Sequence, residues 1–428
     1  MHRRANLYDF GFSIVSIKKL INSTKLRKIL HSPFSILHLL MLFSCQTDTP
    51  MVNLGIDDLY VVERMKKVIL HPEFPGEYQW SVKDISGNDS VVSSERDYIF
   101  IAQYPGEYAL KLRIIDNENP VEHDVKFVVW EEDVVYSRYI QKVYEYRPAP
   151  GQFVNKLPTY EKGDTEETML KKVEESIRAK NDILITLGSF GGYVTFGFDH
   201  TVVNVPGEYD FKISGNAFYA SSNPNPNAPE SAGSSEPGVV MVSLDKNGNG
   251  IPDDEWYELA GSEYHKPETK KNYQITYFRP APDKIPTPEK NSPFTDTTYI
   301  AWESNYQEKG YIVKNAYHTQ DYFPKWLNAD ELQFAGNRLA DNYVDESGNG
   351  SYYVQYACDW GYVDNHPSEL EEKNSFNIEW AVDKNGNKVH LPGIDFIRVY
   401  TGVNQQCGWL GETSTELSKA EDLHIEKL

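Results

Sequence analysis

The chain reads as mostly β: a smaller N-terminal β-sandwich followed by a larger, jelly-roll-like β-sandwich that carries one prominent helix. Three observations predict this. Short segments with period-2 alternation recur along the chain, separated by turn residues, 28 Gly and 24 Pro being available for them. Only one segment shows convincing helical spacing. Hydrophobic residues make up 40% of the 428 residues, ordinary globular material rather than a disordered or collagen-like chain.

The first 44 residues are set apart by charge. Arg3, Arg4, Lys18, Lys19, Lys25, Arg27 and Lys28 stand against Asp9 alone. An apolar stretch, Phe34 to Phe43, and then Ser44-Cys45 complete the pattern of a secretory signal. Leu42-Phe43-Ser44-Cys45 resembles a bacterial lipobox, which implies acylation of Cys45 and a membrane anchor without a spanning helix. The n-region is long, so the true start is expected downstream of Met1. Losing residues 1–44 removes seven positive charges and one negative, so a net −21 becomes −27 over 384 residues. That balance excludes nucleic acid as a partner, because phosphate binding needs a concentrated basic surface.

Residues 45–134 form the first expected domain. Tyr78 to Val82, Tyr108 to Ile114 and Asp124 to Trp130 alternate as strands, with turns at Pro105-Gly106 and Asp116 to Pro120. Tyr78, Trp80, Tyr104, Gly106, Tyr108 and Leu110 resemble the strand and hairpin pattern of PKD-type immunoglobulin-like domains, which implies a spacer with Trp80 in its core. The family's Gly-Asp-Gly turn is absent.

Residues 135–428 form the second. Asp164 and Glu167 read as a capping-box start, and Met169, Leu170, Val173 and Ile177 give a helix over about 165–179. Strands follow at Ile183 to Leu187, Tyr193 to Phe198, Tyr209 to Ser214, Val239 to Leu244, Asn272 to Phe278 and Ile394 to Tyr400. Long loops separate them, among them Ser221 to Pro237 and the Pro-rich Pro280 to Asp296; loops of that length tend to be functional. Gly188-Ser189-Phe190-Gly191-Gly192 reads as a Gly-rich hairpin. It is neither a phosphate loop nor a nucleophile elbow.

Asp245-Lys246-Asn247-Gly248-Asn249-Gly250, with Asp253 further on, is the sharpest chemical motif. Side-chain oxygens at Asp245, Asn247, Asn249 and Asp253, with Gly at the sixth position, match the first part of a calcium loop. Trp256 stands where the bidentate Glu belongs, so the alternative is a polar hairpin. Asp383 to Lys388 reads as a plain hairpin turn. Cys358 and Cys407 form either one disulfide or two free buried thiols. His200 reads as a satisfied structural histidine. Glu303, Glu379, Asp395 and Glu412 are carboxylates suited to glycoside chemistry, but nothing in their spacing pairs them. No catalytic residues are assigned. Aromatics crowd the second half, and Trp302, Trp326, Trp360, Tyr362 and Trp409 are the expected ligand-facing set, able to stack on sugar rings or a flat macrocycle.

The second half also resembles a group of Bacteroidetes cell-surface lipoproteins. Gly191 to Asp199, Gly215 to Phe218, Ser235 to Gly238, Trp256 to Tyr264, Gly393 to Val399 and Gly408 to Glu412 carry the resemblance. It implies a surface-exposed, outer-membrane lipoprotein that captures a ligand, cobalamin-type or glycan, for an outer-membrane transporter and does not turn it over. A secreted glycan hydrolase and a structural or adhesive protein are the other readings.

Overall fold

Alternation becomes burial in the first strands. Gly106–Ile115 buries Leu110, Leu112 and Ile114, and Val121–Trp130 buries Val125, Phe127 and Val129. In this computed structural model, which describes residues 54–83, 86–115 and 120–426, those strands sit side by side in a five-stranded sheet. Its order is Leu59–Glu63, Val121–Trp130, Gly106–Ile115, Glu77–Lys83, Asp89–Ser93; the first pair is parallel and the rest antiparallel. The pair Val68–Leu70 and Tyr98–Phe100 covers the sheet, with Phe100 stacked on Phe127 and Tyr98 on Trp80. Trp80 is fully buried, and its indole nitrogen donates to the Glu95 carbonyl at 2.9 Å. It is a core residue. The expected signal over residues 1–44 and the lipidation site Cys45 lie outside the described residues.

The larger part is built on a six-stranded antiparallel sheet. Its order is Ala381–Val382, Trp256–Leu259, Gly238–Ser243, Phe396–Thr401, Tyr193–Gly197, Lys142–Arg147. The two central strands are buried almost continuously, the mark of a sheet covered on both faces. Val240, Val242, Ile397 and Val399 point into one core, which the helix residues Val173 and Ile177 share. Their neighbours Val239 and Tyr400 point into a second core with Tyr273, Ile275, Tyr277 and Phe334. A four-stranded sheet supplies those: Lys309–Asn315, Phe294–Ser304, Lys270–Phe278, Glu331–Arg338. The fold is mostly β and sandwich-like, with the central sheet packed between two cores.

Residues Gly55–Leu428 form one compact unit, so the N-terminal sheet is docked on the larger part rather than strung ahead of it. Lys67 Nζ bonds the Asp395 carboxylate at 2.9 Å and the Asp245 carbonyl at 2.8 Å. Met65 and Ile101 pack with Val203 and Ile425.

The helix runs Glu166–Ile177 and buries Met169, Val173 and Ile177. Its cap differs from the expected one. Thr165 is the N-cap, and Thr165 and Thr168 bond each other's backbone N–H reciprocally. Asp164 instead accepts from the Glu161 N–H and from Lys172. Gly188–Gly192 is not a hairpin either. It carries the chain from Ile185–Thr186, which pairs with Glu416–Leu417, to Tyr193–Gly197 in the central sheet. Gly192 is required there because a Cβ would lie 1.9 Å from the Leu187 carbonyl oxygen. Among the described residues no helix is long and apolar enough to cross a membrane.

Candidate functional site

The five aromatics expected to face a ligand do not line a common surface. Trp326 is 8% exposed and stacks between Tyr146 and Tyr160. Tyr362 is 1% exposed, and its hydroxyl accepts the Glu263 N–H at 3.1 Å. Both are core residues, which corrects the sequence expectation. Helical or strand spacing alone cannot tell an aromatic filling a core from one lining a site. Trp302 is half-buried in the strand Phe294–Ser304, against Gly310. Trp409 meets Tyr317 edge to face, and Trp360 is exposed beside Trp380.

The expected calcium loop is closed by its own hydrogen bonds. One carboxylate oxygen of the buried Asp245 accepts from the N–H groups of Gly248 and Asn249, and the other from Gly250. The Asn247 and Asn249 amide oxygens accept from Asn249 and Ile251 N–H, while their amide nitrogens donate to Asp253. The loop links the paired strands Gly238–Ser243 and Trp256–Leu259. The same chemistry recurs at Asp345, whose carboxylate takes the Ser347 and Gly350 N–H groups, and at Asp383, which takes those of Asn385 and Asn387.

Cys358 and Cys407 are free thiols, so the bridge does not form. Their surroundings differ: Cys358 is held by Asn365 and sits near Glu263 and Lys266, while Cys407 caps a short turn through its N–H to the Gly411 carbonyl. Burial pushes both thiols up to about 12, so neither is a thiolate nucleophile. His200 is buried between Asp199 at 2.7 Å and Asp422 at 2.8 Å, a satisfied structural histidine. Of the four carboxylates singled out, Glu303 pairs with Lys309 on the surface and Asp395 holds Lys67 and Thr201. Glu412 is buried, accepting the Gln152 N–H.

Sequence reasoning missed two features. One is a buried carboxylate cluster, Glu236, Asp364 and Glu416, whose oxygens lie within 4.8 Å of one another. Burial raises all three carboxyls, Glu416 to about 7, and the charge of Glu416 adds to the rise in Glu236 and Asp364. Oxygen sets of this kind could also hold a hard cation. No spacing in the sequence announces it, since the three come from distant segments.

The other is an open cleft of about 580 Å3. It lies at the edge of a four-stranded sheet ordered Phe218–Tyr219, Ala232–Ser234, Tyr353–Tyr356, Tyr343–Asp345. Tyr219, Tyr356, Glu263, Lys266, His366 and Lys373 are among its walls. His366 places Nε2 3.1 Å from the Asp359 carbonyl, so Nε2 carries a proton and donates it. Its Nδ1 then accepts the Tyr219 hydroxyl at 2.5 Å. Burial lowers the His366 pKa and raises that of Tyr219, so both stay neutral at physiological pH. Glu263 pairs with Lys266 at 2.8 Å and Asp359 with Lys373 at 3.1 Å. The cleft therefore offers fixed donors and acceptors beside aromatic edges.

No described protein family matches the chain, and no curated protein is similar to it. Among solved structures it is similar to a SusE-like protein, at 8% identity over 84% of this chain and 94% of that one, with a TM-score of 0.24. It is also similar to a structure of carbohydrate-binding modules from the β-sandwich superfamily, at 8% identity over 84% and 91%, with a TM-score of 0.13. Likeness at this level carries no argument about what the chain does.

Proposed function

We propose that the protein is a lipid-anchored cell-surface protein that captures a glycan without turning it over and hands it to an outer-membrane transporter. The cleft at Tyr219 and His366 is the observation that carries this reading. A sugar presents many hydroxyls that each need a partner, and the cleft supplies paired charges and a phenol–imidazole pair held in one protonation state. Its volume of about 580 Å3 suits one or two sugar rings better than a corrinoid. A Cys358 thiol pushed up to about 12 by burial removes the cleft's one thiol as a nucleophile, which supports binding over covalent catalysis. The Cys45 anchor and a PKD-type role for the N-terminal sheet belong to the same proposal.

Calorimetry of the purified protein against a glycan panel and cobalamin, with product analysis, tests it. Glycan binding without product is expected. Tyr219→Phe is expected to weaken that binding about tenfold, the value of one lost hydrogen bond in a desolvated site. Released sugars, or cobalamin bound and glycans not, would sink the reading.

A further inference from the structure

A second cleft, also of about 580 Å3, lies where the Pro-rich loop after Phe278 meets the strands Phe294–Ser304 and Lys309–Asn315. Its charge has the opposite sign to the rest of the chain. Arg279, Lys284, Lys314 and Lys325 line it against two carboxylates, Asp296 and Asp321, leaving two positive charges in excess. The whole chain carries 63 acidic residues against 42 Lys and Arg. Lys284 is tied to Asp296 at 2.6 Å and Lys325 to Asp321 at 2.8 Å. Among the described residues, no carboxylate lies within ion-pair distance of Arg279 or Lys314, so the excess sits on those two.

Both are held in place without a direct ion pair, although Asp321 and Asp330 act on Arg279 and Asp321 acts on Lys314 from further off. Arg279 spends Nε and one terminal nitrogen on the Ala329 and Leu327 carbonyls, at 2.8 and 2.6 Å, and lies over the Phe323 ring at 4.1 Å. Lys314 lies over the Tyr299 ring at 4.6 Å. Cation–π contacts and backbone carbonyls orient a cation but leave its charge unneutralised. Walls of Pro280, Pro282 and Tyr299 beside two fixed cations make a slot for a ring that bears an anionic group.

We infer that this cleft is a separate binding site for an acidic sugar, a ring carrying a carboxylate or a sulfate, recognised by Arg279 and Lys314. The sugar class rests on the glycan proposal; the site and the sign of its ligand do not. The long loop after Phe278 thereby gains a role as one wall of the site.

Calorimetry of the full chain against trigalacturonate, a sulfated galactan trisaccharide, uncharged galactotriose and inorganic sulfate alone tests it. The acidic trisaccharides are expected to bind at least tenfold more tightly than galactotriose, less so as salt rises. The stronger of the two acidic ligands identifies the group. Lys314→Gln, checked for unchanged circular dichroism, is expected to abolish the preference; Arg279→Gln tests the second cation the same way. Equal affinity for charged and uncharged ligands, or a preference that survives both substitutions, overturns the inference while leaving the first cleft untouched. If no neutral glycan binds anywhere but galacturonate or sulfate binds in a Lys314-dependent way, only the earlier reading fails.

Discussion

At the scale of single residues, the Asp245 loop shows what a motif can and cannot say. Asp-x-Asn/Ser-Gly-Asn occurs at Asp245, Asp345 and Asp383, and in each loop the first carboxylate gathers backbone N–H groups of the turn. Oxygens alternating along the chain satisfy a turn as well as an ion, so the sequence left both readings open. Asp245→Ala removes three hydrogen bonds from a buried carboxylate and is expected to cost about 2–3 kcal/mol. Denaturant melts with and without a chelator check the cause. A cost present in both conditions belongs to the turn; one that vanishes with chelator marks an ion. The buried cluster makes a second residue-scale prediction. Glu416 titrates at about 7, against 4.5 for a free glutamate. A raised acid binds more protons folded than unfolded, so its stabilisation is full at low pH and fades as pH rises from about 4.5 through about 7. Glu416→Gln is expected to flatten that part of the pH–stability curve.

At the scale of elements, strands with apolar alternation were legible. Val239 to Leu244 is realised as Gly238–Ser243, and Asn272 to Phe278 as Lys270–Phe278. Among those that were not are three strands of one sheet: Phe294–Ser304, Lys309–Asn315 and Glu331–Arg338. Each sends few side chains inward, Ile300 from the first, Ile312 from the second, Leu332 and Phe334 from the third, while Thr, Lys and Gln face out. Half-buried strands of one outer layer look like loops when the layer itself is unknown. Trp302 belongs to that sheet rather than to a loop. The helix was legible through Val173 and Ile177, its cap only to within a residue. Thr165→Ala removes the reciprocal cap and is expected to lower stability by about 1 kcal/mol, readable as a shifted denaturant midpoint with unchanged slope.

At the scale of the whole molecule, the junction between the N-terminal sheet and the larger part decides how the chain unfolds. Sequence showed two sandwiches but not that they are fused, because Lys67 and Asp395 are 328 positions apart. Beside the junction, His424 sits 3.0 Å from Asp210, and its carbonyl accepts from Gln103 of the N-terminal part. Burial opposes charge on His424, yet the bond to Asp210 and the surrounding acids outweigh it and raise its pKa. His200, between Asp199 and Asp422, is raised by the same balance. A raised histidine stabilises fully below the unfolded value near 6.5 and loses that contribution as pH climbs through the folded value. The histidines and the Glu416 cluster therefore act in one direction, and the melting temperature is expected to fall from pH 5 to pH 9. Limited proteolysis gives the location. With rising pH, cleavage between Trp130 and Lys142 should accelerate before cleavage inside the central sheet. His424→Gln should remove that difference while leaving the Glu416 part of the curve intact. Simultaneous loss of both regions at every pH would instead mean that the junction is held by Met65, Ile101, Val203 and Ile425, whose apolar packing does not titrate.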